Sequence, residues 1–265
     1  MVDEPENLIV SALLVSISYF SLWYVYALFK KRFDVIDIAW GGGFIAVVLM
    51  LYMLSDPIYY FVQTLILLMV VIWGFRLIAH IHLRNKQKPE DQRYEEMRKN
   101  WPEPVLAHIF FRVYMLQAVL LVVLSLPVIA VFMAGDAFNS DYVLAAGFAI
   151  WAFGLAFETV ADQQLSEFVR KNKNKAKVMD TGVWKYSRHP NYFGEVTLWW
   201  GVWLASMSIN PVWWSVIGPL TLSFLILFVS GIPMLEKKYK NNPAFQEYAK
   251  RTSVFIPMPS KKKPS

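Results

Sequence analysis

Long, nearly uncharged apolar runs dominate this sequence of 265 residues and constrain its fold more than any other feature. Charged residues make up 17% of the chain, whereas a soluble globular domain carries about 25%. A helix needs about 20 mostly apolar residues to cross the hydrocarbon core of a membrane. We therefore predict an all-α integral membrane protein, a bundle of seven transmembrane helices. These lie near residues 8–29, 35–54, 58–80, 109–134, 142–160, 193–209 and 211–235.

Lysine and arginine alternate from one side of these predicted spans to the other. The segments 30–34, 81–108, 161–192 and 236–265 hold 24 of the 26 basic residues, and the N-terminal segment and the other connections hold none. By the positive-inside rule, the N-terminus lies outside and the C-terminus is cytoplasmic. Topology then explains the net charge of +6, and we predict no binding of nucleic acid because no basic domain stands apart from the spans.

The same pattern sets the domain organisation and the location that we predict. Residues 1–260 form a single membrane domain, whose C-terminal part, 142–257, carries the polar cluster 180–195. Residues 261–265 form a disordered basic tail, and the basic stretch 170–180 faces the anionic headgroups of membrane lipid. The sequence has no eukaryotic targeting feature beyond the lysines of the tail, which favours a bacterial inner membrane over the endoplasmic reticulum. The oligomeric state stays open.

Metal chemistry and nucleophilic catalysis have little support in the sequence. It contains no cysteine and no HExxH, P-loop or GxGxxG motif. Of the four histidines, His80 and His82 are two residues apart and so point in different directions on a helix. We predict no metal site, and we expect His189 to be a hydrogen-bonding partner of a ligand.

Ionisable side chains near the cytoplasmic ends of the spans are the first candidates for a functional site, because such groups are costly in a membrane. Asp34 and Asp37 are three residues apart and share one helix face, and Glu158 and Asp162 are four apart. In the alternative interpretation, these carboxylates pair with the two arginines inside the spans and only stabilise the bundle. Their concentration on the basic side of the membrane favours a site that opens to the cytoplasm.

The cluster D-T-G-V-W-K-Y-S-R-H-P-N-Y-F-G-E, residues 180–195, is the second candidate. Arg188 offers a planar fork of donors for phosphate, Ser187 and Asn191 add neutral hydrogen bonds, and the aromatic residues offer flat faces for a ring. An aromatic belt at the membrane interface would explain the tryptophan and the tyrosines. Such a belt would not explain the Arg-His-Pro-Asn sequence, nor the acidic Glu195 at the start of a span.

The nonapeptide S-R-H-P-N-Y-F-G-E, residues 187–195, resembles the signature near the C-terminus of the steroid 5α-reductase and sterol reductase families. It resembles most closely a bacterial branch of membrane proteins related to the 5α-reductases. Further segments similar to this branch are D-V-I-D-I-A-W-G (34–41), W-G-F-R-L-I-A-H-I-H-L-R (73–84), D-Q-R-Y (91–94), A-D-Q-Q-L-S-E-F (161–168) and the segment 235–257. The resemblance covers most of the chain.

The resemblance implies an NADPH-dependent reductase with seven transmembrane helices and a cofactor pocket that is reached from the cytoplasm. The family reaction reduces a carbon–carbon double bond conjugated to a ketone, and the lipophilic substrate, a steroid or another enone lipid, would enter from the bilayer. The cofactor-binding residues carried over by motif match are Asp162, Trp184, Tyr186, Ser187, Arg188, His189, Asn191, Tyr192 and Glu195, together with Arg84, Arg93, Tyr94, Arg170, Tyr239 and Tyr248.

The same resemblance gives Asp37 and Trp73 as the catalytic residues. Hydride addition to the β-carbon develops negative charge on the carbonyl oxygen, and a proton donor there lowers the barrier. Asp37 stands at the position of a second-helix glutamate of the 5α-reductases. Trp73 falls near the position of a third-helix tyrosine, but an indole donates a hydrogen bond without transferring a proton. This departure leaves the proton donor and the specificity for steroids open.

Two other classes of function fit parts of the sequence. Isoprenylcysteine and phospholipid methyltransferases, which bind S-adenosylmethionine, have a similar Arg-His-Pro-x-Tyr-x-Gly stretch. Asn191 and Glu195 favour the reductase over these enzymes. A transporter or lipid-binding protein would show inverted repeats and helices broken by glycine or proline. Only the run Gly41–Gly43 points that way, and it could equally allow close helix packing.

Overall fold

The computed structural model describes residues 5–55, 60–86, 88–133, 140–172, 177–209 and 211–260. In these ranges all regular structure is helical, with no β-strand and one parallel bridge between Ser187 and Ser253. The α-helices are α1 (Pro5–Lys30), α2 (Ile36–Leu54), α3 (Tyr60–Asn85), α4 (Gln92–Asn100), α5 (Val105–Ile109), α6 (Leu116–Leu124), α7 (Leu126–Phe132), α8 (Asp141–Lys171), α9 (Pro190–Ser206), α10 (Ile217–Phe224), α11 (Ile232–Tyr239) and α12 (Pro243–Arg251). Short 3-10 helices lie at Gly182–Lys185 and Trp213–Val216, and π-helical turns at Phe110–Met115 and Leu225–Val229.

Six helical stretches of the described residues are long and apolar enough to cross a membrane, and they make the chain a multi-pass membrane protein. They are Asn7–Lys30, Ile36–Leu54, Phe61–Asn85, Val105–Leu124, Asp141–Lys171 and Trp213–Tyr239. Each overlaps one of the predicted spans. The remaining predicted span, 193–209, overlaps α9, which has 17 residues and stands at the short limit for a spanning helix. The count of seven and the orientation of the termini stay predictions, and the predicted tail 261–265 lies outside the described residues.

The predicted spans 142–160 and 109–134 differ most from the helices of the structure, and α3 also continues past residue 80 to Asn85. Helix α8 continues to Lys171 instead of ending near residue 160, so Asp162 lies well inside the helix and not at its end. The predicted span 109–134 is interrupted at Ser125. Pro127 explains the interruption, because it lies in the first turn of α7 and has no N–H to continue the preceding helix.

The chain divides into two compact units. Unit 1 comprises Met1–Leu144 and Ser206–Gly218, and unit 2 comprises Ala145–Ala205 and Pro219–Ser265. The single domain expected over residues 1–260 stays a prediction.

The glycine run of α2 organises the core of unit 1. Helix α2 passes through this run without a break, and each of the three glycines packs against a different helix. A Cβ atom at any of them would collide with the neighbour, so the run permits close packing. The neighbours are Gly74 of α3 for Gly41, Tyr19 of α1 for Gly42 and Leu121 of α6 for Gly43. Of the two interpretations that the sequence allowed, close packing is confirmed for this run.

Helices α8 and α9 form an antiparallel pair along a seam of small residues in unit 2. The facing residues, from one end of this seam to the other, are Gly147 and Ala205, Trp151 and Gly201, Gly154 and Leu198, and Glu158 and Gly194. A Cβ atom on Gly154 or Gly194 would lie 2.5 Å from a backbone nitrogen of the other helix. Successive facing positions are three or four residues apart along each helix. The next pair after Glu158 and Gly194 is Asp162 and Asn191.

We expect Gly154→Val to destabilise the protein by about 1–3 kcal/mol, because the new side chain forces α8 away from α9. Ala156→Val is the matched control, since Ala156 is exposed on α8 and gains a similar branched side chain away from the seam. Thermal unfolding in detergent should show a lower Tm for the first variant only. Equal Tm values for the two variants would contradict the role of the seam.

Candidate functional site

The signature segment 180–189 of unit 2 is fixed onto the C-terminal half of α8. Gly182 has a positive φ of 60°, a conformation that favours glycine. The Val183 N–H donates to Gln164 Oε1 over 3.0 Å, and Trp184 Nε1 donates to the carbonyl oxygen of Ala161 over 3.0 Å. Because Trp184 is 8% exposed, its ring is part of the packing that holds this segment in place.

The carboxylate of Asp162 lies where the α8–α9 seam reaches the start of α9. Asn191 Nδ2 donates to Asp162 Oδ1 over 3.1 Å. Asp162 and Glu158, one turn earlier, are both buried, with exposed fractions of 5% and 3%. The shared face predicted from their spacing is therefore directed at the N-terminal end of α9, where Gly194 makes room for it.

The guanidinium group of Arg188 is directed into the protein. Its Nε and Nη2 atoms donate to the two carboxylate oxygens of Glu236 over 2.8 and 3.2 Å. Its Nη1 atom donates to the carbonyl oxygens of Ala249 and Thr252 over 2.9 and 3.4 Å. The Arg188 side chain is 9% exposed. The fork that the sequence predicts for phosphate thus holds an internal carboxylate and two internal carbonyl groups.

His189 lies beside this ion pair, with Nε2 at 3.2 Å from Glu236 Oε1. Burial lowers the pKa of His189 below its usual value, although the Glu236 carboxylate acts in the opposite direction. The imidazole ring is also stacked on Tyr192, with ring centroids 5.8 Å apart and an angle of 15° between the planes. A neutral His189 therefore supports the ring of Tyr192 on the first turn of α9.

The C-terminal segment 248–258 runs alongside the signature segment and is bonded to it at several points. The Arg188 N–H donates to the Ser253 carbonyl oxygen over 2.8 Å, and the Met258 N–H donates to the Tyr186 carbonyl oxygen over 2.9 Å. Ser187 Oγ donates to the carbonyl oxygen of Phe255 over 2.7 Å. The hydroxyl of Tyr248 donates to the carbonyl oxygens of Trp184 and Ser187, over 2.5 and 3.0 Å.

The predicted residues of unit 2 therefore form two groups. One group is buried and serves internal bonds or packing. Its members are Asp162, Trp184, Ser187, Arg188, His189 and Tyr248. The other group is exposed or half-buried and can contact a ligand. Its members are Tyr186, Asn191, Tyr192, Glu195, Arg170 and Tyr239.

The predicted carboxylates of unit 1 have different surroundings. Asp34 is 3% exposed and accepts two bonds from Arg32, over 3.0 and 2.8 Å, and one from the Asp91 N–H over 3.2 Å. Asp37 lies in the first turn of α2, and its side chain is 26% exposed. The ion pair between Asp37 Oδ2 and Arg93 Nη2 spans 3.8 Å. Asp34 thus anchors the connection after α3, whereas Asp37 is accessible to a ligand.

Helix α4 brings two more predicted residues to Asp37. Arg93 carries the ion pair, and its guanidinium carbon lies 5.8 Å from the centre of the Tyr94 ring. Tyr94 is 4% exposed, and burial together with the nearby Asp37 carboxylate raises its pKa above the usual value. The Tyr94 hydroxyl therefore stays protonated at neutral pH.

The other two predicted residues of unit 1, Trp73 and Arg84, have different surroundings: one is buried in the packing and the other is exposed. Trp73 is 2% exposed and packs edge-on against Phe44, with ring centroids 5.3 Å apart. Phe44 follows Asp37 by seven residues, which is about 10 Å of helix rise. Arg84 is exposed at the end of α3 and donates to the side chain of Asn85.

Two glutamates complete these clusters and were not predicted. Glu236 holds Arg188 in unit 2, and Glu90 of unit 1 accepts from the Phe33 N–H over 2.6 Å and pairs with Arg98. Glu236 follows the last apolar run directly, so the criterion that selected Asp37, a carboxylate at the end of a span, also applies to it. Glu90 lies in a polar connection, where the sequence holds no comparable signal.

Comparison with known proteins assigns the family. A family model described as "Protein of unknown function (DUF1295)" matches residues 22–252. The chain belongs to this DUF1295 family. Among curated proteins it is similar to 3-oxo-5-alpha-steroid 4-dehydrogenase 1 of Macaca fascicularis, with 30% identity over 111 residues, 42% of this chain and 39% of the relative.

The enzymes of the same name from Bos taurus and Homo sapiens are also similar to this DUF1295 protein. The bovine enzyme is 30% identical over 122 residues, 46% of this chain and 44% of the relative, and the human enzyme is 30% identical over 111 residues, 42% and 40%. The match thus spans about two fifths of the length of these relatives. The predicted relationship to the steroid 5α-reductases is confirmed as a distant one, at about 30% sequence identity. No solved structure matches the chain.

Proposed function

We propose that this DUF1295 protein is a membrane-embedded, NADPH-dependent reductase of a carbon–carbon double bond conjugated to a ketone in a lipophilic substrate. The observation that carries the proposal is the 30% identity to three mammalian enzymes named 3-oxo-5-alpha-steroid 4-dehydrogenase 1. These names favour the reductase over a methyltransferase. The proposal includes the seven-span topology with a cytoplasmic C-terminus, which puts the basic connections on the side where a charged cofactor is available.

The accessible residues of unit 2 suit a dinucleotide in their chemistry. The exposed ring of Tyr186 and the half-buried ring of Tyr192 offer faces for stacking, and the exposed Arg170 offers a donor fork for phosphate. We assign contact with NADPH to these groups together with Asn191, Glu195 and Tyr239.

The buried residues of unit 2 then hold the ligand-contacting residues in position. Asp162 orients the Asn191 amide through the 3.1 Å bond, and Trp184 and Tyr248 fix the signature segment by their bonds to backbone oxygens. Arg84, Arg93 and Tyr94 of unit 1 stay predictions from the family resemblance. They contribute donors of the type that phosphate groups require.

Bound NADPH would supply the hydride, and the chain must supply a proton at the carbonyl oxygen of the substrate. Asp37 is the candidate donor, since it is a carboxyl group at the end of an apolar helix bundle and has access to a ligand. Trp73 could line the substrate path or donate a hydrogen bond, but an indole transfers no proton. A lipophilic enone, such as a 3-oxo-Δ4 steroid, is the substrate class that this arrangement suits.

Binding measurements on the purified protein in detergent test the proposal. We expect NADPH to raise the Tm of the protein, because a ligand that binds only the folded state stabilises it by mass action. S-adenosylmethionine, added at the same concentration, should leave the Tm unchanged. Stabilisation by S-adenosylmethionine and none by NADPH would overturn the reductase. Consumption of NADPH on addition of a 3-oxo-Δ4 steroid would extend the test to the substrate class.

A further inference from the structure

The donors of Arg188 are almost fully used inside the protein. A guanidinium group has five N–H donors, and four of them are engaged by Glu236, Ala249 and Thr252. The side chain is 9% exposed. To bind a phosphate group, this fork would have to leave the bidentate contact with the half-buried carboxylate of Glu236.

The partners of Arg188 come from two different helices of the C-terminal region. Glu236 lies on α11, Ala249 lies on α12, and Thr252 follows α12. One side chain therefore joins α11 and the segment after α12 to the start of α9. Its own N–H donates to Ser253, which extends the connection into the parallel bridge between Ser187 and Ser253.

The segment that this arginine holds also fixes the residues assigned to the cofactor. The Met258 N–H bonds to the carbonyl oxygen of Tyr186. Phe255 packs edge-on against Phe193 on the first turn of α9, with ring centroids 5.6 Å apart. Release of the segment would therefore free Tyr186 and loosen the turn that carries Asn191 and Tyr192.

We propose that Arg188 is a positioning residue and not a phosphate ligand: with Glu236 it clasps the segment 248–258 onto the signature segment, and so shapes the cofactor site indirectly. This inference rests on the proposed function for its effect on the cofactor. The clasp itself is independent of that function, because all of its bonds lie within the chain.

Affinities for NADPH and NADH separate a positioning role from direct contact with the 2′-phosphate, which NADH lacks. We expect Arg188→Gln and Glu236→Gln to weaken binding of both cofactors by similar factors, on the order of tenfold. The Glu236→Gln variant keeps the volume of the side chain and an acceptor oxygen, so it is the milder change. A loss in Arg188→Gln with Glu236→Gln at wild-type affinities would overturn the proposal, whether the loss is confined to NADPH, as for a 2′-phosphate ligand, or extends to NADH, as for a pyrophosphate ligand.

Thiol labelling tests the clasp without any cofactor. The chain has no cysteine, so Thr252→Cys introduces a single thiol at a position that is 6% exposed. We expect Arg188→Gln or Glu236→Gln in this background to raise the maleimide labelling rate at least about tenfold, because a segment that opens locally exposes its buried side chains. Val254→Cys, at an outward position that is 42% exposed, is the control whose rate should not change.

These two measurements fail in distinguishable ways. If wild-type protein binds neither cofactor, the proposed function is wrong, and the labelling rates still decide whether the clasp exists. If the labelling rate of Thr252→Cys stays at its original value in both variants, the clasp is wrong, whatever the cofactor affinities show.

Discussion

Replacing Asp37 with Asn should lower the turnover of an enone substrate by about 10²–10⁴-fold, the usual contribution of a positioned proton donor. An amide has nearly the same shape as a carboxyl group but cannot deliver the proton that the carbonyl oxygen needs as hydride arrives. NADPH affinity should stay near the wild-type value. Single-turnover kinetics with saturating NADPH would isolate the chemical step from binding and product release.

Asp34→Asn is the matched control for this prediction. It makes the same chemical change three residues away, at a carboxylate that is 3% exposed and bonded to Arg32 and to the Asp91 N–H. We expect this variant to lower the Tm, because it weakens a buried ion pair. The rate of the chemical step, expressed per folded molecule, should stay near the wild-type value. Unchanged turnover in Asp37→Asn would remove Asp37 from catalysis, and the proton donor would then have to be sought elsewhere.

The second large effect should come from the contact between Asp162 and Asn191. We expect Asp162→Ala and Asn191→Ala each to weaken NADPH binding about tenfold or more, since the 3.1 Å bond orients the amide. The double variant should lose little beyond either single variant, with a coupling energy of about 0.5–3 kcal/mol between the two positions. Titration of NADPH fluorescence would measure the dissociation constants.

Gln163→Ala provides the control for that cycle. Gln163 follows Asp162 on α8 but is exposed, so its truncation should change neither the Tm nor the affinity. Strictly additive losses in the cycle, or losses no larger than that of Gln163→Ala, would contradict the orienting role of Asp162.

The sequence predicts those parts of the structure that depend on local pattern. Apolar runs of sufficient length indicated the six helices that can cross a membrane, and the spacing of Glu158 and Asp162 indicated that they share a face of α8. The separation of the predicted spans 193–209 and 211–235 is also found, since α9 ends at Ser206, before Pro211, and proline disfavours helix in the residue before it. Each of these features follows from helix periodicity or from the chemistry of one residue.

Partners that are distant in the sequence could not be predicted in the same way. Arg188 was predicted to bind phosphate because its fork suits that anion, but the carboxylate of Glu236, 48 residues later, suits it equally well. The choice between the two acceptors depends on how α11 lies against the signature segment, which brings Glu236 to Arg188. The end of α8 was missed for a related reason, since the polar stretch after residue 160 has the composition of a connection, and its bonds to the signature segment join residues about 20 positions apart.

The α8–α9 seam also restricts how this protein can vary in length. One residue inserted between Gly154 and Asp162 would rotate Asp162 by about 100° around the helix axis and turn it away from Asn191. Four inserted residues would nearly restore the direction but displace the carboxylate by about 6 Å along α8. Relatives that keep this site should therefore tolerate insertions in their loops but conserve the eight-residue interval from Gly154 to Asp162. For recognising such proteins, that fixed interval is as informative as the residues at its ends.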